Sequence, residues 1–122
     1  MTIMFVDKTS PHPNGVLHSI TVSEQTQDIL FLFHAKDRMK KWGITDKMVV
    51  ETLLWPEEVL AGHRERFIAH RRYGDHVVRA VYEYQKELPV LVTVYFPYVN
   101  RYFRGGGVYE GKIFKGSGYP SD

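Results

Sequence analysis

The chain has 122 residues and a mass of 14.2 kDa, the size of one domain, and its 43% hydrophobic and 25% charged content excludes a disordered or low-complexity chain. It contains no cysteine, which excludes disulfides and thiolate metal ligands and agrees with a cytoplasmic setting, and its longest apolar run, Ile29–Phe33, falls far short of the ~20 residues of a membrane-spanning helix. Sixteen Lys and Arg against fourteen Asp and Glu leave a net charge of +2, too mild to identify a partner, yet five arginines and three histidines crowd between His63 and Arg79 against two acids.

Residues 1–28 begin with no signal-peptide pattern and carry the turn sequence Ser10-Pro11-His12-Pro13-Asn14-Gly15, followed by an alternating run over 16–22 that reads as a strand. A helix is expected next. Ala35, Met39 and Trp42 are spaced i, i+4, i+7, one apolar stripe, and Gly43 suits the left-handed residue that closes a helix. Thr45 then caps a second helix through about Leu54, stopped by Pro56, and the short Gly43-Ile44 link makes the two helices neighbours.

Strands follow. Arg66–Tyr73 and His76–Tyr84 are joined by Gly74-Asp75, a Gly-first two-residue hairpin loop that sets His70 opposite Arg79, Arg66 opposite Glu83 and Ile68 opposite Val81. The third strand, Val90–Phe96, alternates in two sets that a one-residue slip would exchange. A three-residue loop, Gln85-Lys86-Glu87, is expected because it sends the valines to the apolar face and leaves Thr93 and Tyr95 beside His70, Arg79, Arg66 and Glu83; an even loop would bury Arg79. The expected fold is α+β, a two-helix hairpin on one face of an antiparallel sheet of three to four strands, within a single domain over residues 29–104 and followed by a flexible glycine-rich tail over 105–122.

The string His34-Ala35-x-x-Arg38-Met39-x-x-x-Gly43-Ile44-Thr45, followed by Val49, Val50, Leu53, Pro56 and an ending Val92-Thr93-Val94-Tyr95, resembles a small uncharacterised microbial domain family over about residues 30–97. Trp42 departs from its pattern, which often has Arg before the glycine, and so does Phe33, where a polar residue is common. The order of two helices and then strands is similar to the RelE/ParE/BrnT toxins. The resemblance implies a compact RNA-cleaving or target-binding domain, often held by a small antitoxin protein.

Two groups of residues are candidates for chemistry. His34 and Arg38, at i and i+4 on the first helix, suit a proton-transferring imidazole beside a phosphate-binding guanidinium; the commoner arrangement for such residues is a backbone-bonded histidine and an arginine paired with a carboxylate such as Asp37 or Glu51. Neither is expected to share a substrate with the sheet if the helix lies over the sheet centre. The polar sheet face carries His70, Arg79, Glu83, Tyr95, Arg66 and Arg72, an inventory of base, acid and cations for RNA cleavage through the 2′-hydroxyl; it is also what a solvated sheet face with ordinary cross-strand pairs contains.

Tyr98–Arg104 interleaves aromatic residues with Arg101 and Arg104, as contacts to single-stranded RNA do, although edge or docking segments read the same way. No metal or cofactor is expected: there is no His-Glu-x-x-His, His70 and His76 fall on opposite faces, and Gly105-Gly106-Gly107 lacks the context of a phosphate loop. The leading expectation is a metal-independent, toxin-like endoribonuclease. The competing one is a non-catalytic module that binds RNA or a protein.

Overall fold

The structure, a computed structural model, describes residues 4–106 and Ile113. In chain order the elements are β1 (Val6–His12), β2 (Gly15–Val22), β3 (Gln25–Leu32), α1 (Phe33–Trp42), α2 (Asp46–Leu54), β4 (Glu58–Ala61), β5 (Phe67–Tyr73), β6 (His76–Gln85), β7 (Leu88–Tyr95) and α3 (Val99–Tyr102). The strands form one mixed sheet in the order β1-β2-β3-β7-β6-β5-β4. Two antiparallel meanders, β1 to β3 and β4 to β7, meet where β3 runs parallel to β7.

This corrects the expected architecture, because among the described residues the sheet has seven strands and is not purely antiparallel. The β2 strand matches the expected run, but β1, β3 and β4 lack the alternation by which a half-buried strand announces itself. An edge strand that tolerates Pro11, β1 is mostly exposed. The end of β3, Ile29-Leu30-Phe31, is buried on both faces and therefore reads as a continuous apolar run. With four residues, β4 offers too short a pattern to read. Gly15 begins β2 where the backbones crowd: a Cβ there would drive into the Phe31 carbonyl.

Both expected helices form. Gly43 ends α1 at φ 68°, in the left-handed conformation, and the Thr45 hydroxyl accepts the Met48 N–H at 3.1 Å to cap α2. Ala35 and Met39 pack α1 onto β7, β3 and β2, while α2 covers β5 and β6. Trp42 is not core, being 45% exposed; Ile44 is the next buried residue of that set. The tyrosine hydroxyl of Tyr73 ties α2 to β5 by donating to the Met48 carbonyl and the Glu51 carboxylate, and Arg71 donates to the Trp55 carbonyl at the end of α2.

The β5–β6 hairpin has the expected register, with His70 opposite Arg79 and Ile68 opposite Val81. The β6–β7 loop does not. Gln85 pairs with Leu88, leaving the even loop Lys86-Glu87, with Lys86 at φ 59°. A bulge restores the parity. Tyr82 pairs with Leu91 but Val81 pairs with Thr93, so Val92 is the extra residue. Leu91 and Val94 therefore face the helices, Val90 lies on the opposite face, and Thr93 and Tyr95 still stand on the Arg79 face.

Of the glycine-rich segment 105–122, Gly105, Gly106 and Ile113 are described, and Ile113 is buried in the core; the expected flexible tail otherwise lies outside the described residues.

Candidate functional site

The strand registers line up four polar residues in one row across four strands. Glu58 of β4 is opposite His70 of β5, His70 is opposite Arg79 of β6, and Arg79 is opposite Tyr95 of β7. All four point away from α1 and α2, on the face opposite the core. This row is hydrogen-bonded from its inner end. The His70 Nδ1 lies 2.6 Å from the Glu58 carboxylate, and an Arg79 terminal nitrogen lies 3.0 Å from His70 Nε2. A guanidinium only donates, so Nε2 is the acceptor and Nδ1–H donates to Glu58.

Burial and charge fix these protonation states. His70 and Glu58 have no exposed surface. Burial pushes the His70 ring below its ordinary pKa and the Arg79 charge adds to that, outweighing the pull of Glu58 towards protonation. Burial alone would raise the Glu58 carboxyl. The His70 hydrogen bond and the backbone N–H groups of Arg104 and Gly106 outweigh it, so the carboxyl sits below its ordinary range. The row thus carries a buried carboxylate, a neutral imidazole and a charged guanidinium held at a set angle.

At the outer end of the row lies a cleft of about 420 Å³ lined by Trp42, Arg79, Tyr95, Phe96, Pro97, Arg101 and Tyr102. Its place follows from the sheet. The parallel pairing of β3 with β7 is limited to Leu30 with Val90 and Phe31 with Leu91, after which the chain turns into α1. Among the described residues the last part of β7 therefore has no strand beside it on that side, and the exposed end of α1 borders the notch. The guanidinium of Arg79 lies 4.3 Å from the centre of the Tyr102 ring. A cleft with two guanidiniums and flat aromatic walls suits a planar group that carries an anion.

The structure brings together His70, Arg79, Tyr95 and Arg101 from the expected set. It does not bring in Glu83 and Arg66, which pair with each other at 2.9 Å in a separate hollow with Gly62 and Arg64. Glu83 is four residues along β6 from Arg79, roughly 13 Å of strand. Arg72 chelates Glu57 through its Nε and a terminal nitrogen and lies 4.6 Å from the Phe103 ring centre. The Arg104 side chain is exposed, and its contribution here is the backbone N–H that Glu58 accepts. His34 is exposed in the first turn of α1, Arg38 is half-buried one turn later, and neither lines the cleft. Arg38 makes no ion pair among the described residues, so the expected partners Asp37 and Glu51 do not hold it.

Sequence reasoning missed Glu58 and misplaced Trp42. Glu58 follows Pro56 in an acidic pair, and the apolar run Val59-Leu60 behind it is too short to announce a strand. Trp42 continues the spacing of a core stripe, but it is also i+4 from Arg38, and that ridge ends at the cleft. A second buried histidine is also present. His18 has no exposed surface, stacks on Phe31 at 3.9 Å, and bonds both Asp7 oxygens through Nδ1 at 2.9 Å. Its ligand atoms and those of Asp7 and Asp46 lie within 4.8 Å of one another, and Asp46 also pairs with the ammonium of Lys36 at 2.8 Å.

No helix among the described residues is long and apolar enough to cross a membrane. No curated protein and no solved structure matches the chain. Residues 31–96 match the family described as Domain of unknown function (DUF4258), and the chain belongs to that family. The matched span runs from the end of β3 through β7. It contains all four residues of the row, and it leaves out β1, β2 and everything after Phe96.

Proposed function

We propose that the Glu58–His70–Arg79–Tyr95 row is the reaction centre of a toxin-like endoribonuclease that cleaves RNA without a metal ion. The observation that carries this reading is the hydrogen-bonded chain from a fully buried carboxylate, through a neutral imidazole, to a guanidinium at the wall of an aromatic cleft. Such a chain supplies a positioned base and a phosphate-binding cation, the groups that transfer through a 2′-hydroxyl needs. The order within the matched span, two helices and then antiparallel strands, supports it further through its similarity to the RelE/ParE/BrnT toxins.

In the proposed reaction the substrate phosphate draws Arg79 from His70, freeing Nε2. The ring takes the 2′-hydroxyl proton while Glu58 holds Nδ1–H and stabilises the imidazolium. The 2′-oxygen bonds to phosphorus, the bond from phosphorus to the 5′-oxygen breaks, and that oxygen takes a proton from the Tyr95 hydroxyl. The products are a 2′,3′-cyclic phosphate and a 5′-hydroxyl; His70 returns its proton to Tyr95 through solvent. A cytoplasmic setting and a small antitoxin-like protein as a second partner belong to the same reading.

One observation favours a second reading, a non-catalytic module that binds RNA or a protein: both His70 nitrogens are engaged. Incubating the chain with single-stranded RNA in EDTA separates the two. Cleavage giving cyclic phosphate ends, lost in His70→Asn, is the expected result. Binding without cleavage by wild type would leave only the module, and neither binding nor cleavage would remove the ribonuclease together with the RNA-binding form of the module.

A further inference from the structure

We infer that residues 98–106 are a built-in competitor for the RNA, a strap that occupies the places where two consecutive bases would lie on the sheet face. The inference rests on the proposed ribonuclease reading and concerns the regulation of the same centre. Three observations carry it.

The first is chemical mimicry. Tyr102 and Phe103 are consecutive, and each lays its ring against a guanidinium of the same sheet face. Tyr102 meets Arg79 of β6 at 4.3 Å, and Phe103 meets Arg72 of β5 at 4.6 Å. Stacked bases of a single strand use cationic side chains in the same way, because every base presents a π-face. While Tyr102 covers Arg79, a base cannot.

The second is the mode of attachment. Besides the ring contacts, the strap is held by specific polar bonds. The backbone N–H of Arg104 reaches both Glu58 oxygens, at 3.1 and 3.0 Å, and that of Gly106 reaches one at 3.1 Å. Upstream, the Tyr98 backbone bridges to His76 and the Val99 N–H donates to the Asp75 carbonyl. Tyr102, Arg104, Gly105 and Gly106 remain exposed, so lifting this segment breaks the Glu58 bonds and the half-buried Phe103 contact, while the chain re-enters the core further on at Ile113. The carboxylate that orients His70 is therefore also the strap's anchor, which couples covering of the site to its charge state.

The third is its position relative to the family. The matched span carries the whole row and ends at residue 96, so the strap lies outside it.

The test compares the full chain with Tyr102→Ala/Phe103→Ala; neither side chain moves a proton or holds the phosphate in the proposed reaction, although Tyr102 walls the cleft. A fluorescently labelled, mixed-sequence single-stranded RNA is titrated by anisotropy, and amide hydrogen exchange is followed in the full chain with and without that RNA. At least about fivefold tighter RNA binding by the variant is expected, the lower end of typical coupling between sites. In the full chain, RNA should also accelerate exchange at Arg104 and Gly106. Equal or weaker binding by a folded variant, with exchange at these amides unchanged by bound RNA, would overturn the strap and leave the ribonuclease reading standing. If neither protein binds RNA, that reading falls and the strap falls with it. Should the variant fail to fold, the exchange result on the full chain decides alone.

Discussion

The Nδ1 of His70 lies 2.6 Å from a Glu58 carboxylate oxygen, and neither side chain has exposed surface. An ion-capable pair withdrawn this far from water is tolerable because its own polar atoms are engaged: His70 Nε2 by Arg79, and the carboxylate by two backbone amides. Stability and the proposed chemistry therefore depend on the same atoms.

The pH dependence of folding follows from these two groups. The folded-state pKa of His70 lies below its ordinary 6.5, through burial and the neighbouring Arg79, so the unfolded chain takes up this proton first. The resulting stability is complete above pH 6.5 and is lost as the pH falls towards the folded value. The Glu58 carboxyl is likewise lowered from 4.5, since its hydrogen bonds outweigh the opposing effect of burial; its contribution is present above pH 4.5 and lost below it. Urea midpoints should thus fall on acidification from pH 7.5 to 5, and His70→Asn should flatten that part of the curve. An unchanged slope in the variant would assign the acid sensitivity elsewhere.

Breaking the pair is expected to be severe. Glu58→Ala leaves the buried His70 N–H and two backbone amides without their acceptor and should lower the unfolding free energy by about 1–3 kcal/mol at pH 7, the cost of a buried donor left unpaired. Chemical denaturation measures it. A loss below about 1 kcal/mol would mean that water or a rearranged strap replaces the carboxylate.

The contrast is the Arg66–Glu83 pair, partly exposed and remote from the cleft. Arg66→Ala should cost no more than about 1 kcal/mol of stability, the range of surface ion pairs. It should also leave RNA binding close to wild type, although sequence reasoning had placed both residues at the centre.

How much was legible can be judged from single residues. The facing of His70 and Arg79 followed from Gly74-Asp75, because a two-residue loop leaves one register. The ends of α1 and α2 followed from Gly43, Thr45 and Pro56, whose effects are local. The β6–β7 register combined two deviations that cancel, an even loop and a bulge at Val92, so Tyr95 reached the expected face by a different path. Glu58 was not legible, since its role arises from a pairing with a residue 12 positions away and from N–H groups 46 and 48 positions away. The sheet's true width was hidden for the same reason: β1 pairs through its backbone, which any sequence provides, and its side chains carry little alternation.

Gly15 offers a test of the expanded sheet. A methyl group at this position meets the Phe31 backbone, so Gly15→Ala forces β2 away from β3 and should destabilise by about 1–3 kcal/mol, as overpacking does. Thr45→Ala removes only the cap of α2 and should cost about 1 kcal/mol. If the ranking in thermal unfolding were reversed, β2 and β3 would not be packed as closely as described.

The most direct test of the proposed function is the salt dependence of RNA binding by Arg79→Ala, with Arg66→Ala as the comparison. If Arg79 grips a phosphate, its loss should weaken binding and reduce the slope of log K against log salt concentration by about 0.7, one phosphate contact on a single strand. Arg66→Ala should keep the wild-type slope. Equal slopes for wild type and Arg79→Ala, or an equal reduction in both variants, would contradict a phosphate site at the end of the Glu58–His70–Arg79–Tyr95 row.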